Sequence, residues 1–272
     1  MFEYLRLDIS RVSNTSPQDI PCPLCLTPMS LEWIDLPEPR VTKEHIIPDE
    51  LGGTTTTLTC KDCNNNHGTQ LDSHLIQMIR CTDSLSGDGI RLLSGRLGLA
   101  GKRVPVDIDW KVPTGTTEFK MRPNDPALPA QIHQFMSKEP DTIEIEVNLK
   151  YIPCRASLAI LRIAYLAMFK CMGYSYILSP AADRVRQTII NYQKPPAEVD
   201  GVILRGISPA PTQPLEIHRI RNGDMFLVLM ALVADSKRHH YAVPMPGPNI
   251  DPRNVLSTLC EAAVSLIRKG SG

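Results

Sequence analysis

The chain has 272 residues, 42% hydrophobic and 21% charged, a balance ordinary for a globular protein that excludes wholesale disorder. Its 29 basic and 29 acidic residues cancel, so no overall charge excess draws it to nucleic acid. The longest apolar runs, at 158–169 and 225–234, are too short to span a bilayer, and the first contains Arg162.

Met1-Phe2-Glu3-Tyr4-Leu5-Arg6 lacks the basic segment and apolar run of a secretory leader, so a cytosolic protein is expected. Residues 1–20 show no clear pattern. Residues 22–30 read as a knuckle-like turn, 31–36 as a short strand, and 40–47 as a strand stopped by Pro48. Leu51-Gly52-Gly53 is a turn, and the β-branched stretch 54–59 is the returning strand. Residues 61–80 have helical spacing, with Leu71, Leu75, Met78 and Ile79 on one face.

After the Ser/Gly-rich stretch 84–89 the texture changes. Segments 104–112, 117–121 and 142–152 alternate as strands, 157–172 and 183–193 read as helices, and 202–207, 215–220, 225–234 and 241–243 as strands. A helix over 254–268 closes the chain. The expected class is α+β, in two parts: residues 1–84 and a mixed α+β domain over 85–272. Arg155, Arg162 and Lys170 lie seven and eight apart on one face of the 157–172 helix, opposite Leu158, Leu161, Ala164, Tyr165 and Met168. An amphipathic helix with a face for DNA is therefore expected.

Charge is uneven. Residues 1–80 hold six Lys/Arg against eleven Asp/Glu, whereas 155–194 hold six Lys/Arg against one acid, Asp183. A phosphate-binding surface is thus expected in the second half.

Cys22-Pro23-Leu24-Cys25 and Cys60-Lys61-Asp62-Cys63 place two thiols in each of two tight turns. Four thiolates make the closed tetrahedral site of a structural zinc, and no βαβ pattern surrounds Pro23 to suggest a redox pair. The other cysteines, Cys81, Cys154, Cys171 and Cys260, read as buried small hydrophobes. Between the pairs lies Glu44-His45-Ile46-Ile47-Pro48, and directly after them Asn64-Asn65-Asn66-His67-Gly68. Phosphodiester hydrolysis needs a base for water, and His suits that task; it also needs a hard cation on the phosphate, held by oxygens such as those of Glu44 and Asn64. His67 offers a nitrogen to a softer ion. Neighbouring strand residues face opposite ways, so Glu44 and His45 can serve one site only where the strand ends.

This block resembles an HNH (ββα-metal) endonuclease domain, of the cysteine-bearing group similar to phage endonuclease VII. The resemblance covers residues 22–72. It implies His45 as general base, Glu44 and Asn64 as ligands of a catalytic Mg²⁺ or Mn²⁺, and zinc on Cys22, Cys25, Cys60 and Cys63. His67 falls near the final ligand position, which Asn64, Asn65 and His67 all contest. Glu44 stands where many relatives carry Asp. The implied activity is hydrolysis of DNA, double-stranded, leaving 5′-phosphate and 3′-hydroxyl ends, in restriction, anti-phage defence or a mobile element. The alternative is a non-catalytic zinc module that binds nucleic acid or protein. The role of residues 85–272 stays open between DNA binding, assembly of a homodimer and sensing.

Overall fold

The computed structural model describes residues 1–13, 18–34, 36–85, 92–99, 102–111, 116–121, 129–130, 133–134, 137, 144–147, 150–207, 210–220, 224–234 and 237–270. The protein mixes helices with antiparallel sheets, an α+β architecture. It packs as two compact units: one joins Met1–Ile76 to Tyr151–Gly272, and the other is Gln77–Lys150. This differs from a single boundary near residue 85, because the C-terminal segment returns to pack with the N-terminal one. Residues 86–89 of the expected linker lie outside the described residues.

The discontinuous unit opens with helix α1 (Phe2–Ser13), which buries Phe2, Leu5 and Ile9 at helical spacing. Two short strands, β1 (Ile20–Pro21) and β2 (Pro28–Met29), pair as a knuckle. The expected strand over 31–36 is instead a single 3₁₀ turn at Leu31–Trp33. Strands β3 (Val41–His45) and β4 (Thr56–Cys60) form an antiparallel hairpin in the register His45↔Thr56, Glu44↔Thr57 and Thr42↔Thr59. The connection needs both of its glycines. Gly52 has φ +81°, and a Cβ on Gly53 would lie 1.7 Å from the Ile47 carbonyl oxygen. Helix α2 (Lys61–His67) then passes through a π-turn at Gly68–Asp72 into α3 (Ser73–Leu85).

The centre of this unit is α4 (Pro153–Met172), in which all fourteen residues from Ala156 to Phe169 are buried. The expectation of an amphipathic helix with a face for DNA is thus overturned, since α4 is enclosed on every side. Arg162 is fully buried, Arg155 half-buried, and Lys170 exposed at the last turn. Each large apolar side chain enclosed this way contributes about 1.5–3 kcal/mol before the entropy of ordering it is counted. Around α4 lie α5 (Tyr174–Ile177), α6 (Pro180–Ile190) and α7 (Glu198–Val202). The chain ends in a four-stranded sheet, ordered β10 (Leu215–Ile220), β11 (Met225–Ala234), β12 (Lys237–Pro246), β9 (Leu204–Arg205), and helix α8 (Val255–Gly270). Leu204, Ala242 and Ala263 form a core between that sheet and α8.

The second unit carries an antiparallel sheet of β5 (Leu92–Leu99), β6 (Lys102–Lys111), β7 (Thr116–Met121) and β8 (Glu144–Val147), in the order β7-β6-β5-β8. Val104, Val106 and Ile108 alternate inward and meet Leu97. No helix among the described residues is long and apolar enough to cross a membrane.

Candidate active site

The first feature of the site is the cysteine cluster. In the knuckle turn the Cys22 N–H donates to the Thr27 carbonyl at 2.9 Å and the Leu26 N–H to the Cys22 carbonyl at 2.8 Å, with Leu26 in a left-handed conformation of φ 61°. That curl points Cys22 and Cys25 at Cys60 and Cys63, where β4 runs into α2. The four sulfurs lie within 4.8 Å of one another, Cys25 and Cys60 at 3.6 Å. Zn–S bonds of about 2.3 Å in a tetrahedron put sulfurs about 3.8 Å apart, so the cluster has the dimensions of a metal-holding site. Sharing protons among themselves moves the thiols in opposite directions. Hydrogen bonding from Cys22 lowers Cys60 to about 7 and Cys25 further, while Cys63 is pushed up. All eight cysteines are free, and among the lone ones Cys81 is buried but Cys171 is exposed, against expectation.

Three hydrogen bonds, two of them buried, fix the knuckle to the helices behind it. Tyr165 donates to the Pro23 carbonyl at 2.9 Å, Tyr174 to the Pro21 carbonyl at 2.5 Å, and Arg186 to the Leu24 carbonyl at 3.1 Å. These satisfy backbone oxygens that the tight turn leaves without a ladder partner.

Beside the cluster, a cleft of about 380 Å³ is lined by Glu44, His45, Asn64 and Asp72, among others. Glu44 and His45 share it although they alternate on β3, because the strand ends at His45 and the cleft opens around that end. Asn64 donates from Nδ2 to the Thr42 hydroxyl at 3.0 Å, so its amide oxygen is the atom left for a cation. Asn65 is exposed and is not among the residues of the cleft. His67, the third residue contesting the final ligand position, is not among the residues of the cleft either. One helical turn beyond Asn64, it is rotated into the core, 3% exposed, with its ring edge-on to Tyr192 and its Nδ1 without a partner. Burial, helped by the nearby Arg162 cation, lowers it to about 3, so it stands neutral and outside the cleft.

Behind two of the residues that line the cleft, Glu44 and Asp72, lies a cation expected at a surface. The Arg162 guanidinium, on α4, is enclosed between two carboxylates. Its NH1 donates to Glu44 Oε1, and its NH2 to Asp72 Oδ1 and Oδ2 at 2.6 and 2.7 Å. Glu44 Oε2 accepts from the Thr59 hydroxyl at 3.3 Å. Burial disfavours the charge on Arg162, but Asp72 and Glu44 outweigh it and keep the guanidinium a cation. Burial also raises Asp72 to about 6; Arg162 opposes the shift and the Glu44 charge adds to it. Glu44, Asp72, Asp49 and Glu50 line the cleft against one lining cation, Lys43, and the Arg162 guanidinium behind it, so carboxylates outnumber cations there. The signal for Arg162 was present in the sequence: a lone cation amid an unbroken apolar helix needs a buried counter-charge.

Among the described residues, the cysteines form the one tight group of three or more His, Cys, Asp or Glu ligand atoms. A cation in the cleft would therefore rest on Glu44 and the Asn64 oxygen, with substrate oxygens and water completing its shell. Both donors are hard, which fits Mg²⁺ or Mn²⁺.

Residues 34–80 match the family model of HNH endonucleases, a span that contains the hairpin, α2 and most of the cleft. No curated protein and no solved structure matches the chain.

Proposed function

With an HNH endonuclease domain at residues 34–80 as its premise, we propose that this protein is a metal-dependent endonuclease that hydrolyses phosphodiester bonds of double-stranded DNA. The observation that carries the reading is the meeting of His45, Glu44 and the Asn64 amide in one cleft where carboxylates outnumber cations. Such a lining attracts a divalent cation and has no use in a module that only grips phosphate. His45 accepts the proton of the attacking water. Glu44 and Asn64 hold the cation, and Asn65 and His67 are not needed for it. The cation, when bound, offsets charge on the phosphate and on the departing oxygen. Zinc on Cys22, Cys25, Cys60 and Cys63 holds the start of α2, and hence Asn64, against β3. A cytoplasmic setting, which keeps thiols reduced, suits this ligand set. Restriction, anti-phage defence or mobile-element movement is the proposed context.

The test is cleavage of supercoiled plasmid by the full chain and by His45→Ala, with Mg²⁺, with Mn²⁺ and with EDTA. Nicking or linearisation by the wild type in either metal, abolished by EDTA and reduced about 10²–10⁴-fold in the variant, is expected. Equal cleavage by His45→Ala would overturn the role of His45.

A further inference from the structure

A buried arginine between two acids is commonly a structural lock. Here both acids also line the cleft where the cation would sit. Glu44 presents two oxygens: Oε1 is taken by Arg162, and Oε2 faces the Thr59 hydroxyl. Without Arg162, the Glu44 side chain would keep its rotamers, and its longer stem gives it more of them than an aspartate has. Asp72 receives the other arm of the guanidinium through both oxygens, so its placement and that of Arg162 are tied together. Asp72 itself is placed by the π-turn at Gly68–Asp72, whose wider winding shifts the residues after it around the helix axis. A π-turn inside a helix is rare and is often found at a functional site.

Resting on the nuclease reading above, we infer that Arg162 is a positioning residue of the nuclease site. It fixes the Glu44 carboxylate for cation binding, and Asp72 fixes Arg162 in turn. The site is then built from two distant chain segments, since Arg162 lies 118 residues beyond Glu44 and 90 beyond Asp72. The segment with the family's motif does not by itself contain the complete site. A guanidinium suits the role because its planar fork serves two carboxylates at once, whereas a lysine ammonium is a single point without that fork.

The experiment measures Mn²⁺ binding to the full-length, zinc-loaded protein by electron paramagnetic resonance, with no DNA present. Four proteins are compared: wild type, Glu44→Gln, Arg162→Lys and the charge-balanced double variant Asp72→Asn/Arg162→Met. Zinc content and thermal melting establish that each is folded, and the double variant replaces Arg162→Lys if the latter does not fold. Wild type is expected to bind one Mn²⁺ in the cleft, and Glu44→Gln to weaken it strongly. Arg162→Lys and the double variant are expected to weaken it at least tenfold while keeping their zinc. Unchanged Mn²⁺ affinity in folded Arg162 variants, with binding lost in Glu44→Gln, would sink the inference and leave the nuclease reading standing. Unchanged affinity in Glu44→Gln as well would remove the cation assignment itself.

Discussion

The same hairpin and helix are braced from two sides by opposite means. On one side, four cysteines in two short turns converge within 4.8 Å, each pair separated by two residues. On the other, one guanidinium from the middle of α4 joins Glu44 to Asp72. The cysteine brace is made of short-range pairs and would gain its strength from an ion held among the sulfurs. The arginine brace is long-range, and its strength comes from enclosure: a charge with no water has only its partners to satisfy it. Bracing by coordination is robust to the surroundings, whereas bracing by a buried charge depends on every neighbour being in place.

The largest effect is expected from breaking the first brace. Cys60→Ser, or chelation of the wild type, removes an interaction on the order of 10 kcal/mol in small zinc domains, more than the whole stability of a typical domain. Because Tyr165, Tyr174 and Arg186 tie the knuckle to α4, α5 and α6, the loss should spread beyond the knuckle. Circular dichroism should show helix lost with zinc in a single transition; loss confined to residues near the knuckle, seen by hydrogen exchange, would separate the two braces.

Breaking the second brace comes next. Arg162→Met leaves two carboxylates enclosed without their cation, at a cost of about 3–5 kcal/mol by denaturant unfolding. Adding Asp72→Asn should recover part of that loss, since it removes one of the stranded charges. A double variant no more stable than Arg162→Met would show that the two residues do not act as a pair.

A smaller effect sharpens the link between the braces. Tyr165→Phe removes the hydroxyl that serves the Pro23 carbonyl and leaves that buried oxygen unpaired, at about 1–3 kcal/mol. The change should appear in the melting temperature, with zinc content unaltered. Smallest of all is Arg40→Ala. Arg40 is exposed, its guanidinium 5.7 Å from the Trp33 ring centroid, and such contacts are worth about 0.5–1 kcal/mol at exposed sites. A melting shift as large as that of Tyr165→Phe would mean that the comparison underrates the surface beside the cysteines.

The two braces also differ in how far they could be read in advance. The cysteine pairs were legible because each pair is set two residues apart in a tight turn, and the structure brings the two pairs together. So were β3, β4, β10 and β11, whose β-branched or apolar residues lie between turn formers. Helix α1 went unread, although Phe2, Leu5 and Ile9 already stand at helical spacing, because its other face carries Tyr4 and Leu7 exposed and blurs the pattern. The 3₁₀ turn at Leu31–Trp33 was taken for a strand because apolar residues in so short a run satisfy either period.

His67 shows where spacing fails. Three residues after Asn64 it shares a broad helix face, but a rotation of about sixty degrees short of a full turn separates a cleft from a core. Arg162 shows the converse. By spacing it pairs with Arg155 and Lys170 as a surface stripe, yet the helix that carries it is buried all round. Periodicity describes one helix; it does not say how many neighbours will cover it.

The residue types of the candidate site belong to what the sequence alone determined: four thiols in two pairs, an imidazole, a carboxylate and an amide. Those side chains all lie within one stretch, residues 22–64. The tertiary structure alone decided which of Asn64, Asn65 and His67 faces the cleft, and that Arg162, the buried cation of α4, meets Glu44. Burial and the approach of residues about a hundred positions apart depend on how every segment packs, and no local pattern encodes that.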